Sequence, residues 1–140
     1  MKQSLLIFCA LLTVNLIAAG CGGGASDGPA VYPVSGTVTL NGKPVQEGAM
    51  VFMDPDGQSK SFGARIENGE FSTEMTPGKK KVEITATRES KTKKSPGPSG
   101  GPPVPAIEQY IPAEYNEKTT LEADVSADGG NEIKFELKGS

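Results

Sequence analysis

Apolar and polar residues alternate with a period of two along most of the chain after residue 31. Successive side chains of a β-strand point to opposite faces, so this alternation predicts strands with one buried and one solvated face. The alternating segments are 34–40, 82–87, 121–125 and 133–137, and shorter apolar runs lie at 49–53, 61–66 and 70–75. No window has the 3.6-residue period of an amphipathic helix. The pattern therefore predicts about seven strands.

Turn-forming residues separate these segments. Asn41-Gly42 is a strong signal for a two-residue hairpin, because both residues accept a positive φ. Further turn signals are Pro55-Asp56-Gly57, Glu67-Asn68-Gly69, Pro77-Gly78 and Asp128-Gly129-Gly130-Asn131. Short strands separated in this way predict an all-β fold, an antiparallel seven-strand sandwich over residues 31–140.

Residues 88–106 depart from the alternation, because they contain five prolines and three glycines. This composition predicts a Pro/Gly-rich loop without strand or helix through most of its length. A loop this long in a compact domain tends to be functional or disordered. A boundary between two domains is the alternative. The 34 residues that follow supply only two or three predicted strands, which favours a single domain.

The first 20 residues have the composition of a secretory signal peptide. Lys2 supplies a positive start, residues 5–17 are largely apolar, and residues 18–20 are small. The apolar run is too short for a membrane-spanning helix, which needs about 20 residues. A buried core helix is the alternative, but no capping residue precedes the run and three glycines follow it. We therefore predict export with cleavage after residue 20.

Cleavage before Cys21 would remove Cys9 and leave one cysteine, which cannot form an internal disulfide. A lone cysteine in an exported protein indicates an intermolecular bridge or a modification, and its place at the new N-terminus favours modification. Residues 18–21 resemble the lipobox of bacterial lipoproteins. The resemblance implies that Cys21 carries a diacylglyceryl anchor with fatty chains such as palmitate. Processing by an ordinary signal peptidase remains the alternative.

Residues 21–30 are predicted to form a flexible tether, because glycine dominates them and they have little to bury. Each methylene of an acyl chain that enters the bilayer contributes about 0.8 kcal/mol, so several chains hold a protein firmly. No aspartate follows Cys21 directly. By resemblance to lipoprotein sorting in two-membrane bacteria, this implies the outer membrane rather than the inner one.

A family resemblance supports the predicted fold. Residues 36–45 (GTVTLNGKPV) resemble the opening of carboxypeptidase regulatory-like modules, which have a transthyretin-like (prealbumin-like) sandwich. Residues 48–52, 68–71 and 77–78 continue the pattern, although three lysines follow Pro77-Gly78 where the family has a tyrosine. Residues 111–137 are similar to short lipoproteins of planctomycete-type bacteria. These resemblances imply a fold rather than an activity.

Catalytic motifs are missing from the sequence. The chain contains no histidine, so the usual general base and the commonest transition-metal ligand are unavailable. Ser-His-Asp and Cys-His arrangements are thereby excluded. We predict no enzyme activity and no cofactor. Asp54 and Asp56 have oxygen ligands suited to calcium, but a polar turn is the favoured interpretation. Lys43 and Asn131 are weak candidates for an isopeptide crosslink.

Positive charge is concentrated in residues 79–94, although the whole chain has a net charge of −3, which argues against a nucleic-acid binder. The candidate contacts are Lys79, Lys80, Lys81, Arg88, Lys91, Lys93 and Lys94, predicted to form one cluster at one end of the sandwich. A solvated strand edge protected by lysine is one interpretation. The other is contact with an anionic glycan, lipid or envelope protein.

The sequence as a whole predicts a lipid-anchored, non-enzymatic structural or binding module of the cell envelope that acts as a monomer. Carbohydrate binding is a second hypothesis, for which Tyr110 and Tyr115 are the candidate aromatic platforms near the Pro/Gly-rich segment. An accessory subunit of an envelope transport or secretion assembly is a third.

Overall fold

A computed structural model describes residues 28–57 and 60–139. The predicted signal peptide, Cys21 and most of the predicted tether lie outside the described residues. Within those residues the chain forms ten β-strands and two short 3-10 helices, at Pro98–Gly100 and Ala113–Tyr115. The strands are β1 (Tyr32–Leu40), β2 (Lys43–Pro44), β3 (Glu47–Met53), β4 (Phe62–Glu67), β5 (Glu70–Met75), β6 (Gly78–Thr85), β7 (Thr87–Ser95), β8 (Val104–Gln109), β9 (Glu122–Val125) and β10 (Asn131–Leu137). The all-β prediction is confirmed, and each of the seven predicted strands is present.

The body of the molecule is one sheet with the strand order β10-β1-β5-β4-β3-β6-β9, and β2 pairs with β1. Its pairs are antiparallel except β1 and β10, which run parallel from Val34 opposite Asn131 to Leu40 opposite Leu137. Parallel neighbours need a long connection, and here nearly the whole domain lies between them. The first and last strands of the body are thereby adjacent.

The sheet curls where β4 meets β5. These strands pair in register only at Ile66 with Phe71 and at Glu67 with Glu70, and farther along a side-chain bond from Thr73 Oγ1 to Gly63 O at 2.9 Å joins them instead. The two parts of the sheet therefore enclose the core between them. Phe71 bridges the parts, because its ring centroid lies 5.9 Å from that of Phe52 in β3 and 6.1 Å from that of Phe135 in β10.

The core is mostly aliphatic and follows the predicted period of two. Val34 and Val38 in β1 are fully buried, as are Val82 and Ile84 in β6, and the alternate residues Ser35, Thr37 and Glu83 lie on the opposite faces of these strands. Burying an aliphatic side chain of this size contributes about 1.5–3 kcal/mol, so this alternation supplies most of the driving force for the body.

The predicted hairpin turn at Asn41-Gly42 is also confirmed. Asn41 has a φ of 52° and Gly42 a φ of 77°, and Leu40 pairs with Lys43 on either side of them. Two successive positive φ angles are the signature of the turn that matches the right-handed twist of a hairpin.

The prediction of a strandless loop over residues 88–106 is wrong. Strands β7 and β8 form an antiparallel two-stranded sheet of their own, and only residues 96–103 connect them. The prolines fall in or next to that connection, so they leave β7 free to extend. Pro105 lies in β8 beside the register shift between Glu89 and Lys94, where a missing backbone donor is tolerated. We refer to residues 87–109 as the arm.

The strand register defines two ends of the body. Tyr32, where β1 begins, pairs with Met75 at the end of β5 and marks the proximal end. At the other end Glu70 pairs with Glu67, and Glu67 also pairs with Glu47 at the start of β3. Because β6 is antiparallel to β3, it finishes beside the start of β3, at this distal end. The arm follows β6 directly, so it leaves the body at the end opposite to the start of β1.

Candidate functional site

Lys80, a predicted ligand contact, is a structural residue, and that prediction is wrong. Its side chain is 1% exposed, and its Nζ donates to the carboxylate of Asp54 and, at 2.8 Å, to Oγ1 of Thr76. The same ammonium lies 5.6 Å from the ring centroid of Phe62. A buried charge needs partners of this kind, and Lys80 therefore ties β6 to the end of β3.

Lys79 and Lys81 are exposed on the outer face of β6, on either side of Lys80. Their cross-strand neighbours in β9 are acidic, Asp124 opposite Lys79 and Glu122 opposite Lys81. Cross-strand pairs share one face of a sheet, so this part of the surface carries mixed charge.

The prediction of a single basic cluster at one end of the sandwich is also wrong. Lys79 and Lys81 lie near the start of β6, at the proximal end, whereas Arg88 lies in the arm at the distal end. Six residues, 82–87, separate Lys81 from Arg88, and the seven steps of extended chain span roughly 23 Å. The structure thus divides the basic segment and leaves only its second part in the arm.

In the arm, Arg88, Lys91, Lys93 and Lys94 are all exposed, as predicted. The bulge between Glu89 and Lys94, which carries Lys91 and Lys93, is built around Ser90. This residue is 5% exposed, and its Oγ accepts the backbone N–H of Thr92 at 3.4 Å and that of Lys93 at 3.1 Å. A bulge bends a strand and redirects its side chains, and here it projects lysines from an otherwise regular ribbon.

Glu108 of β8 holds the bulge to the opposite strand. Its carboxylate accepts from Nε of Arg88 at 3.1 Å. The pKa of Glu108 lies below its ordinary range, first because the Ser90 hydroxyl bonds to the carboxylate and then because Arg88 does so. Bonds that favour the ionised form lower a carboxyl pKa in this way. The ionised form of Glu108 therefore organises this part of the arm.

The arm also exposes apolar side chains. Ile107 is 67% exposed and Val104 is 41% exposed, and the only other large apolar residue exposed to this degree in the described part of the chain is Val31. Both arm residues belong to β8. No motif in the sequence marked them, because isolated apolar residues beside proline resemble ordinary loop residues.

Tyr110 lies at the base of the arm. The guanidinium carbon of Arg88 is 5.1 Å from the ring centroid of Tyr110. The backbone N–H of Tyr110 donates to Ala86 O at 3.1 Å. Burial raises the pKa of the Tyr110 hydroxyl, and the charge of Arg88 partly opposes this. An open cleft at this point is lined by Gln46, Glu47, Glu67, Asn68, Thr87, Arg88 and Tyr110.

Tyr115 has a different position from the one predicted for a sugar platform. It lies in the second 3-10 helix, packs against the core, and accepts the backbone N–H of Lys138 on its hydroxyl at 3.0 Å. These contacts fix the segment that follows β10. Tyr110 also packs against the core, but it lines the open cleft as well and is therefore the better placed of the two tyrosines for ligand contact.

The weaker sequence candidates do not form sites. Asp54 binds Lys80, and residues 28–57 and 60–139 contain no group of three or more Cys, Asp or Glu side chains placed to hold a metal ion. Lys43 pairs with Leu40 at the distal end, whereas the Asn131 amide donates to Pro33 O at the proximal end. No isopeptide can join side chains so far apart. No helix in the described part of the chain is long and apolar enough to span a bilayer.

The chain matches no protein-family profile and no functionally curated protein. Two solved structures are similar to it. One is a DUF3823 family protein from Parabacteroides merdae ATCC 43184, with 15% identity and a TM-score of 0.43 over 80% of this chain and 48% of that one. The other is a 9R-lipoxygenase from Cyanothece PCC8801, with 13% identity and a TM-score of 0.33 over 84% of this chain and 18% of that one. The chain thus spans about half of the first protein and less than a fifth of the second.

Proposed function

We propose that this chain is a lipid-anchored, non-enzymatic module of the bacterial cell envelope that holds a rigid β-domain outside a membrane and presents the arm for binding. The observation that carries this proposal is the opposite placement of two features. The chain enters the body at the proximal end, 11 residues after Cys21, and the arm leaves at the distal end. An anchor on Cys21 would therefore leave the arm accessible from outside.

The chemistry of the side chains supports a binding role over catalysis. The chain has no histidine, and the carboxylates of Asp54 and Glu108 serve as partners for Lys80 and Arg88. A catalytic carboxylate must instead meet a substrate. The arm, by contrast, offers exposed cations and apolar side chains that a partner could cover.

Mass spectrometry of the N-terminus tests the anchor. The full chain is expressed in a two-membrane bacterium and recovered from the membrane fraction. We expect a mature chain that begins at Cys21 and carries acyl groups, and we expect Cys21→Ser to lose both the acyl groups and this processing. A soluble chain with a bare thiol at Cys21 would contradict the proposal.

Carbohydrate binding at the cleft is the second candidate function. An aromatic ring beside planar amide, carboxylate and guanidinium groups is the usual means of holding a sugar, and the cleft combines Tyr110 with Asn68, Gln46 and Glu67. A glycan array compares the parent chain with Tyr110→Ala and, as a control, Tyr115→Phe. Loss of a signal in Tyr110→Ala alone would support this function. An array without signal, or equal signals from the parent and both variants, would exclude the cleft as a sugar site.

A further inference from the structure

We infer that the outer part of the arm, residues 90–107, docks on an anionic phospholipid bilayer through Lys91, Lys93 and Lys94 with Ile107 beside them. This inference rests on the proposed binding role of the domain and names its partner. Because the arm leaves the body at the end opposite to the start of β1, the bilayer that it contacts is a different one from the membrane that would hold Cys21, and docking does not depend on lipid attachment at Cys21.

The charge of this segment is of one sign. Residues 90–107 contain three lysines and no acidic residue, whereas the chain as a whole has more acidic than basic residues. All three lysines are exposed. The acidic residues that flank this segment in the sequence are Glu89, which is exposed, and Glu108, which is engaged by Arg88. The outer arm is therefore predominantly positive, with the Glu89 carboxylate at its inner edge.

The apolar side chains favour a bilayer as the source of the negative charge. Ile107 pairs with Glu89 and Pro105 pairs with Lys94, and alternate residues of β8 share a face. Lys94, Pro105 and Ile107 consequently lie on the same face of the ribbon, with Glu89 at the inner edge of that face, whereas Val104 lies on the opposite face. Lysines beside exposed apolar side chains are the composition that binds at the boundary between headgroups and acyl chains.

Two other interpretations explain fewer of the exposed side chains of the arm. Lysine protection of a strand edge accounts for the charges, but it leaves the 67% exposure of Ile107 without a reason. An acidic glycan would account for the lysines, but residues 90–107 contain no aromatic side chain on which a sugar ring could stack. A bilayer uses both the charged and the apolar side chains.

The arm is also ordered in advance of binding. Ser90 accepts two backbone N–H groups within the bulge, and the connection closes through Gly101 N to Pro98 O at 3.0 Å. A segment that is already ordered loses less conformational entropy when it docks. The fold thus holds the lysines and the apolar residues together without a partner.

A fluorescent probe on the arm tests this inference. A chain of residues 21–140, which lacks the apolar residues of the predicted signal peptide and has Cys21 replaced by serine so that no lipid can be attached, carries an environment-sensitive dye on Ile107→Cys. The vesicles are either pure phosphatidylcholine or phosphatidylcholine with about 30% phosphatidylglycerol. We expect a blue shift on the anionic vesicles only, and its loss as NaCl rises from about 0.05 to about 0.5 M. A control dye on Glu74→Cys, exposed in β5, should show no shift.

Two triple variants test whether the lysines of the arm supply the charge that binds the bilayer. A juxtamembrane lysine changes affinity by about 5-fold, so replacing Lys91, Lys93 and Lys94 with glutamine should weaken binding at least about 10-fold. The matched control replaces Lys79, Lys81 and Lys134 with glutamine, which changes the net charge equally and should leave the affinity within about 3-fold of the parent. Circular dichroism confirms that both variants are folded.

Three results would overturn the inference. The first is no blue shift at position 107 on anionic vesicles, and the second is an equal loss of affinity in both triple variants. The third is tight binding to a soluble acidic polysaccharide without binding to vesicles, which would leave the binding role of the domain intact and reject the bilayer. Since the probe chain has no acylated cysteine, failure of the proposed anchor at Cys21 would appear only in the mass of the N-terminus.

Discussion

The body and the arm of this molecule are both built of β-strands, but different interactions hold them together. In the body, a curled sheet buries an aliphatic core around Phe71, and every central strand has a neighbour on each side. In the arm, two strands pair only with each other, and polar bonds from Ser90, Arg88 and Glu108 replace a core. An isolated two-stranded ribbon is marginally stable in water, so these bonds decide whether the arm is ordered. The comparison predicts that the arm can open while the body remains folded.

The largest expected effect follows from Gly36→Ala in the body. A Cβ at this position would lie 1.8 Å from the carbonyl oxygen of Ile133 and 2.9 Å from the ring of Phe71. Since the nearest atom belongs to the backbone of a paired strand, β1 and β10 would have to separate. We expect a loss of about 4 kcal/mol in the free energy of unfolding, measured by urea denaturation, or failure to fold.

Gly63→Ala is the matched control for this prediction. Gly63 also lies in a strand, but the nearest atom to an added Cβ is 4.0 Å away. A change within about 1 kcal/mol is expected there. Equal losses in the two variants would show that β1 and β10 do not approach as closely as described.

The next largest effect is expected from Lys80→Ala. This change leaves the Asp54 carboxylate without its buried ammonium partner and empties space below Phe62. Removal of one member of a buried ion pair costs about 3 kcal/mol, and this should appear as a lower urea midpoint. Lys81→Ala, one residue away on the solvent face, should cost less than about 0.5 kcal/mol. If Lys81→Ala proved the more damaging, the assignment of the inner and outer faces of β6 would be reversed.

The Ser90→Ala variant tests whether the arm can lose order while the body stays folded. The variant removes the acceptor for the backbone N–H groups of Thr92 and Lys93. Loss of a hydrogen bond of about 1 kcal/mol should speed hydrogen exchange of the arm amides about 5-fold. Exchange of the body amides and the thermal midpoint should not change. Thr92→Ala, which alters an exposed neighbour, serves as the control, and a fall in body protection in Ser90→Ala would contradict the separation.

The smallest effect concerns pH. Because Ser90 and Arg88 hold the folded-state pKa of Glu108 below its ordinary value of 4.5, this residue stabilises the arm above about pH 4.5 and ceases to do so as pH falls through the folded pKa. Exchange of the arm amides, corrected for intrinsic rates, should therefore accelerate in acid. In Glu108→Gln this dependence should be reduced. An unchanged pH dependence in that variant would assign the effect to another group.

Much of the body could be predicted from the sequence, because neighbouring residues specify its strands and turns. The alternation of Val34 and Val38 with polar residues fixes both the strand and its buried face, and Asn41-Gly42 fixes the turn. The parallel pairing of β1 with β10 could not be predicted, because it joins residues about 100 positions apart and has no local signal.

The arm was missed because its order does not come from burial of an alternating face. Strand β7 is mostly polar, and the prolines that follow it dominated the composition of the whole window. The candidate site residues also divide into those that the local sequence could predict and those that depend on tertiary structure. The exposed cations of the arm followed from residue type, whereas the burial of Lys80 depended on which face of β6 turns inward. The exposure of Ile107 depended on tertiary context alone.

The central claim is that an ordered arm leaves the body at the end opposite to the start of β1. Spin labels on Val31→Cys and Ile107→Cys, in the full chain with Cys9 and Cys21 replaced by serine, measure this by dipolar spectroscopy. Both positions are exposed, the seven steps along β6 separate the two ends by roughly 23 Å, and Ile107 belongs to the arm beyond the distal end. We predict one narrow distribution centred beyond about 25 Å. A broad distribution, or one centred below about 20 Å, would contradict the account.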